Sequence, residues 1–222
     1  SQIELRVLAA IAKDENMTQA FLAGEDIHLN TAAQVFDMPP LFVTPLMRSR
    51  AKAVNFGIVY GISAFSLSKD IGVTVAEADQ YIKNYLKTYS GVARYMKETV
   101  EEAKEQGYVS TLFGRRRYLP ELKSSNRNLR SFGERVAMNM PIQGTAADII
   151  KIAMVRVYRR LRRENLKAKL ILQVHDELIV EAPQEEAEAV RLLLAEEMER
   201  AVSLSVPMEV SVSVGKTWQE AH

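Results

Sequence analysis

The segment from Thr44 to Gly61 constrains this chain more than any other, because it carries its own start and stop signals with a four-residue repeat between them. The Thr44 hydroxyl can accept from the first unpaired amides of a helix, and Pro45 fits the first helical position, where a missing N–H costs nothing. Gly61 supplies a residue that tolerates the left-handed conformation in which helices commonly stop. Between these signals Arg48, Lys52, Phe56 and Tyr60 recur every fourth residue, which places all four on one helical face. That face offers two cations and then two aromatic planes. It suits a ligand with a polyanionic end and a flat end, such as a nucleotide, the cations gripping phosphate and the rings facing sugar and base. The same spacing also describes a surface helix with two solvated cations and two aromatics tucked into a core, and spacing alone leaves both readings open.

A second segment, Leu170 to Val180, places His175, Asp176 and Glu177 between two apolar runs that lack Gly and Pro. Such runs predict a buried β-hairpin whose tight turn carries His175 and Asp176, with Glu177 either in the turn or beside it. Carboxylates held between buried strands are costly unless a cation offsets them. A divalent metal would do so: Mg²⁺ prefers carboxylate oxygens, takes only one or two from the protein and completes its shell with water and substrate phosphate. An exposed hairpin tip is the competing reading, since acidic turn residues are ordinary there.

Charge narrows the partners. Across 222 residues, 29 Lys and Arg stand against 28 Asp and Glu, a net charge of +1. Such a balance argues against a generic polyanion-coating protein but permits a basic cleft offset by acidic outer faces. Arg115, Arg116 and Arg117 form one basic cluster, extended by Arg127, Arg130 and Arg135, while Arg159, Arg160, Arg162 and Arg163 form another. Acidic residues gather from Glu98 to Glu105 and from Glu185 to Glu199, mixed with Lys and Arg at the spacing of solvated helical faces. The chain has no cysteine, which excludes disulfides and thiolate zinc and fits a cytosolic compartment. No run is apolar enough for a membrane span or a secretory signal.

The remaining periodicity is largely helical. Ser1 and Glu4 fit a capping box for a first helix that turns Leu5, Leu8, Ala9 and Ile11 inward. Short helices are expected at 18–23 and 27–36, before Pro39-Pro40, and others at 64–69, 74–89 and 92–106, the last ending at Gly107. Residues 108–112 and 116–119 suggest a small hairpin around Gly114. Helices at 129–138 and 146–163 are separated by Pro141, which predicts a break. The hairpin at 170–180, a helix at 185–202 and a strand from Met208 to Val214 complete the chain. Composition and pattern alone give a mixed α+β class.

Together with Ser1-Gln2-Ile3-Glu4-Leu5-Arg6, the two leading segments resemble the three polymerase motifs of the bacterial DNA polymerase I family, also called family A. The resemblance runs to about Trp218 and includes Asp26-Ile-His28, Gly114-Arg-Arg-Arg-Tyr-Leu-Pro120 and the stretch from Asn139 through Gln143 to Ile150. It implies an α+β right-hand polymerase: residues 1–13 and 129–222 as parts of a palm with an antiparallel sheet, and 14–128 as a mainly helical fingers lobe. It further implies a DNA-directed DNA polymerase that transfers deoxynucleotides to a primer 3′-hydroxyl with two Mg²⁺ ions, Mn²⁺ being a substitute. Deoxynucleoside triphosphates and primer–template DNA are the implied partners, and the bacterial cytoplasm around the nucleoid is the implied location.

Residue roles follow from the same resemblance. Asp176 would hold metal with Glu177 in a supporting role, and Lys52 would be a proton donor to the departing pyrophosphate. Arg48, Lys52 and His28 would contact the triphosphate; Gln2 and Glu4 would lie beside the sugar, with Glu4 excluding a ribose 2′-hydroxyl. Phe56 would stack on sugar and base, and Tyr60 would close over the nascent pair. Arg135, Asn139, Gln143 and His175 would contact the primer–template. The family's first motif begins Asp-Tyr-Ser-Gln-Ile-Glu-Leu-Arg, and its aspartate is a metal ligand, whereas this chain begins at the Ser. The resemblance therefore implies a C-terminal piece, inactive in isolation, whose upstream polymerase part would carry that aspartate and the thumb. One half of a split polymerase and a non-catalytic nucleic-acid-binding remnant are the alternatives. Ser49, where many relatives carry a second Arg, is a further departure.

Overall fold

A computed structural model describes residues 2–221. It is mainly helical, with two small antiparallel sheets. The chain divides into two compact units, Gln2–Thr145 and a second beginning at Ala146, the division falling inside a single helix.

The first unit is a stack of helices: α1 (Ile3–Ala12), α2 (Glu15–Leu22), α3 (Ile27–Val35), α4 (Pro45–Val59), α5 (Ala64–Ile71), α6 (Val75–Thr88) and α7 (Ser90–Gln106). Their ends follow the chemistry of their caps. Thr44, Ser63 and Thr74 each accept from an amide in the first turn of α4, α5 and α6, and Thr74 with Glu77 forms a full capping box. Gly72 and Gly107 close α5 and α7 in the left-handed region. Helix α1 is buried nearly all round, with Leu5, Val7, Leu8, Ala9 and Ala12 in the core and Ile11 only half-buried. The capping box expected at its start falls on Ser1, outside the described residues.

One carboxylate holds two of these helices. Asp14 Oδ1 accepts from Met17 N (2.9 Å), capping α2, while Oδ2 accepts from Gly91 N (2.8 Å) and Val92 N (3.2 Å), capping α7. The approach requires glycine, since a Cβ at Gly91 would lie 2.7 Å from Asp14 Cα. The tip of this unit is the hairpin of β1 (Tyr108–Ser110) and β2 (Arg116–Tyr118), anchored by a cluster of Val109, Leu119, Leu122, Ala103 and Ala137.

Where the sequence predicts a break at Pro141, one helix, α8 (Arg127–Arg163), runs through. A proline removes one hydrogen bond and crowds the preceding turn, a local cost of about 3 kcal/mol. Buried positions on both sides of it, Ala137 at 0% and Ile142 at 1% exposure, hold the helix in its packed path against that cost.

The second unit joins the C-terminal end of α8 to β3 (Lys169–Val174), β4 (Glu177–Glu181) and α9 (Ala187–Glu199) around Val157, Leu161, Val190, Leu193 and Leu194, with the short α10 (Trp218–Ala221) near the end. The hairpin forms where predicted but is not buried. Leu170, Leu178 and Val180 pack on this core, whereas Ile171 and Leu172, on the other face, are each 48% exposed. The expected strand at 208–214 does not form among the described residues. Its period-2 pattern survives as alternating burial, with Met208, Val210 and Val212 half-covered and Glu209, Ser211 and Ser213 exposed, but a strand needs a ladder partner and none is supplied. The second basic cluster is also partly consumed: Arg160 pairs with Glu164, Glu196 and Glu197, and Arg163 with Glu164. Among the described residues, no helix is long and apolar enough to cross a membrane.

Candidate functional site

The spacing puts Arg48, Lys52, Phe56 and Tyr60 on one face of α4, and that face is largely exposed. Ala51, Val54, Asn55 and Ile58 turn into the core, leaving Arg48, Lys52 and Tyr60 outward and Phe56 half-buried at the edge. Helix α3 brings His28 to the same place: its ring lies 5.9 Å from that of Phe56, tilted by 47°. Asp26, the N-cap of α3, accepts from the amides of His28 (2.9 Å) and Leu29 (3.2 Å) with one oxygen and binds Arg48 with the other, Nε at 2.7 Å. One short acid thus starts a helix and orients a cation two turns from Phe56.

The electrostatics follow from that crowding. Burial pushes the Asp26 carboxyl upward, but the Arg48 guanidinium and the two amides outweigh it and leave it below its usual value. Burial lowers the His28 pKa to about 4; Arg48 and Lys52 push the same way, against Asp26. His28 is therefore neutral at physiological pH and can act as a hydrogen-bond donor or acceptor, but not as a fixed cation.

The other end of the face is held differently. Tyr60 caps α4, and Gly61 follows at φ +65°, where a Cβ would meet Met138 and Arg135 at 2.9 and 3.0 Å. Tyr60 donates to Glu4 Oε2 (3.0 Å), and its hydroxyl also hydrogen-bonds Gln143. Burial raises the Tyr60 pKa, the Glu4 charge adds to the rise, and Gln143 opposes it. Asn139 donates to Val59 O (3.3 Å). Arg135, Asn139 and Gln143 lie four apart on α8, so one helical face runs past the end of α4. Gln2 accepts from Arg6 (3.3 Å).

In the second unit, Val174 pairs with Glu177, leaving His175 and Asp176 as a two-residue loop. His175 adopts φ 51°, a left-handed conformation in which histidine is several-fold enriched among non-glycine residues. Gln173 Nε2 donates to its carbonyl (2.6 Å). Ile171 is an extra residue between the Leu170–Val180 and Leu172–Ile179 pairs, a bulge that twists the hairpin. Asp176 and Glu177 are half-buried, with the hard oxygen donors that Mg²⁺ favours. Among the described residues no three His, Cys, Asp or Glu side chains converge as a metal cage, a requirement that Mg²⁺ bound partly by water and phosphate does not impose.

Sequence reasoning named Asp26 only as part of a motif, without a role, and passed over Asn55 and Thr31 behind it, although all three hold the α4 face in place. A signal was present for Asn55, a polar residue inside the apolar stripe of Ala51, Val54 and Ile58. Nothing comparable marks Thr31.

Known proteins agree over the whole length. The chain is 56% identical to DNA polymerase I of Bacillus subtilis over 221 residues, all of this chain and 25% of that protein. It is 54% identical to DNA polymerase I of Caldicellulosiruptor bescii over 99% of this chain and 26% of that one, and 48% identical to the thermostable DNA polymerase I of Thermus aquaticus. It thus spans about a quarter of the length of these relatives. In structure it matches the POL domain of Pol1 from M. smegmatis, solved with DNA primer-template and dNTP, at a TM-score of 0.95 and 43% identity, covering 100% of this chain and 39% of that one. The sequence pattern of DNA polymerase family A matches residues 1–220, and the chain belongs to that family.

Proposed function

We propose that this chain is the nucleotide-binding and metal-binding part of a DNA-directed DNA polymerase. The observation that carries the reading is the grouping of Arg48, Lys52, Phe56 and His28 around one exposed helical face in a member of family A. That face meets the needs of a deoxynucleoside triphosphate: Arg48 and Lys52 neutralise phosphate, neutral His28 hydrogen-bonds to it, and Phe56 stacks on sugar and base. Glu4 and Gln2 lie beside the sugar, Tyr60 over the nascent pair, and Arg135, Asn139, Gln143 and His175 along the primer–template.

In the reaction the primer 3′-hydroxyl oxygen bonds to the α-phosphorus, the bond to the bridging oxygen breaks, and pyrophosphate departs. The primer hydroxyl passes its proton to water, and Lys52 supplies one to pyrophosphate as charge builds there. Asp176, with Glu177 supporting it, would hold Mg²⁺, which when bound neutralises phosphate charge in the two-ion manner of phosphoryl transfer. We propose that the reaction takes this chain together with an upstream polymerase part carrying the thumb and the first-motif aspartate, consistent with its spanning a quarter of its relatives. In that reading residues 1–13 and 129–222 serve as palm and 14–128 as fingers.

The test is a chimera in which this chain replaces the matching quarter of the Bacillus subtilis enzyme. Mg²⁺-dependent primer extension, lost in the Asp176→Ala variant, is the expected result. A folded, DNA-binding chimera that extends nothing would overturn the reading in favour of a non-catalytic binding remnant.

A further inference from the structure

Behind the α4 face lies a buried chain of polar groups that phosphate recognition alone does not require. Asn55 Nδ2 stands 3.0 Å from His28 Nδ1, and Asn55 Oδ1 stands 3.1 Å from Thr31 Oγ1. The Thr31 hydroxyl also faces Ile27 O at 2.7 Å and the Tyr89 hydroxyl at 3.2 Å. Thr31 and Asn55 are 0% exposed, Tyr89 2% and His28 4%, so water does not replace a lost partner.

We propose that Asn55, oriented by Thr31, is a positioning residue that holds His28 as the neutral imidazole with its hydrogen on Nε2. The inference rests on the reading of His28 as a triphosphate contact. Tyr89 has its own hydrogen to donate to the Thr31 oxygen, which leaves the Thr31 hydrogen for the two acceptors in front of it, Ile27 O and Asn55 Oδ1. An amide whose oxygen takes that hydrogen presents its NH₂ to the imidazole. The NH₂ group has no acceptor, so Nδ1 must carry the lone pair, and the single hydrogen of the neutral ring sits on Nε2. The imidazolium is disfavoured by the same contact, because it would set N–H against N–H. The consequence is chemical polarity: an Nε2–H donates to a phosphate oxygen, whereas the other tautomer would turn a lone pair toward it.

The ring nitrogens can be read directly by long-range ¹H–¹⁵N correlation on the full labelled chain at neutral pH. His175→Gln and His222→Gln variants assign the signals of the three histidines. The expected His28 pattern is a protonated Nε2 and an unprotonated Nδ1. Thr31→Val keeps the shape but removes the hydrogen that orients the amide, and should give mixed or reversed protonation, which Thr31→Ser restores. Asn55→Asp puts an acceptor against Nδ1 and should protonate that nitrogen. A wild-type His28 with its hydrogen on Nδ1, or a folded Thr31→Val chain with an unchanged pattern, would overturn the proposal. Titration with dTTP separates it from the reading beneath it: the His28 Nε2 signal should move, and Thr31→Val should raise the Kd by about tenfold, the cost of one hydrogen bond to a charged group, while Thr31→Ser does not. If the tautomer is as stated but dTTP leaves His28 unmoved, the triphosphate role is wrong and the positioning role stands.

Discussion

The Tyr60 hydroxyl donates to Glu4 Oε2 at 3.0 Å, tying the C-terminal cap of α4 to the first turn of α1. Fifty-six residues separate the partners in sequence, so neither helix's own pattern discloses the bond. In the proposed reading, this bond holds Glu4 beside the sugar of the nucleotide. In the chimera, Glu4→Ala should admit ribonucleotides more readily, because the side chain that crowds a 2′-hydroxyl and leaves it poorly paired is gone. The check is the ratio of ribo- to deoxynucleotide kcat/KM opposite one template base; an unchanged ratio would remove Glu4 from the sugar.

The cations of α4 should separate by kinetic signature. Lys52→Ala removes the charge proposed to face the departing pyrophosphate, so kcat should fall at least about a hundredfold, the scale of losing one preorganised electrostatic donor. Arg48→Ala should act mainly on KM. Unchanged kinetics in both would return the face to a solvated one.

Asp14 should dominate local stability. Its two oxygens satisfy three amides at two helix starts from a site only 2% exposed. Asp14→Ala should cost about 2–4 kcal/mol, from two caps worth about 1 kcal/mol each and the penalty of buried amides left unpaired. Urea unfolding of the chain measures it, and a loss under about 1 kcal/mol, the level of one ordinary cap, would refute the double role.

His28 gives stability a distinctive acid limb. Its pKa falls from 6.5 to about 4 on folding, so between those values the unfolded chain binds more protons than the folded one. Stability then drops as pH falls through that window and is indifferent to this group above it. The lowered carboxylates, Asp26, Glu77, Glu188, Glu196 and Glu197, have ordinary values of 3.8 or 4.5 and lose their contributions only below those. Replacing His28 with Gln should therefore flatten the pH dependence between about 6.5 and 4.5 while leaving the steeper fall below it, as read from denaturation midpoints.

Local chemistry made much of this molecule legible. Thr44, Pro45 and Gly61 bound α4 through their own side chains and backbone preferences, and the four-residue spacing placed Arg48, Lys52 and Tyr60 on one face, which is outward because Ala51, Val54 and Ile58 turn the opposite side into the core. What failed were features decided by a partner distant in sequence. Met208 to Val214 has a strand's alternation but no ladder, and Pro141 sits in a helix that its buried neighbours carry onward. Asn55 and Thr31 belong to the same class, since the meaning of a polar side chain in a core depends on what faces it.

Phe56 carries the last prediction. Its ring is half-buried beside His28 and has no polar atom, so in the proposed reading it could not replace a contact made by the 3′-hydroxyl of an incoming nucleotide. A dideoxynucleotide lacks that hydroxyl and would leave its environment unpaired, which is a strong basis for rejection in a closed site. Phe56→Tyr adds a hydroxyl at the ring tip, where it can supply the missing partner without changing the stacking plane. Dideoxynucleotide incorporation relative to the deoxy form should then rise by about tenfold or more in the chimera, the value of one buried hydrogen bond regained, with ribonucleotide rejection unaltered because Glu4 is untouched. Competition between dideoxy- and deoxynucleotides at a single template position measures the ratio. Discrimination that persists in Phe56→Tyr would place the ring away from the sugar and confine it to stacking on the base.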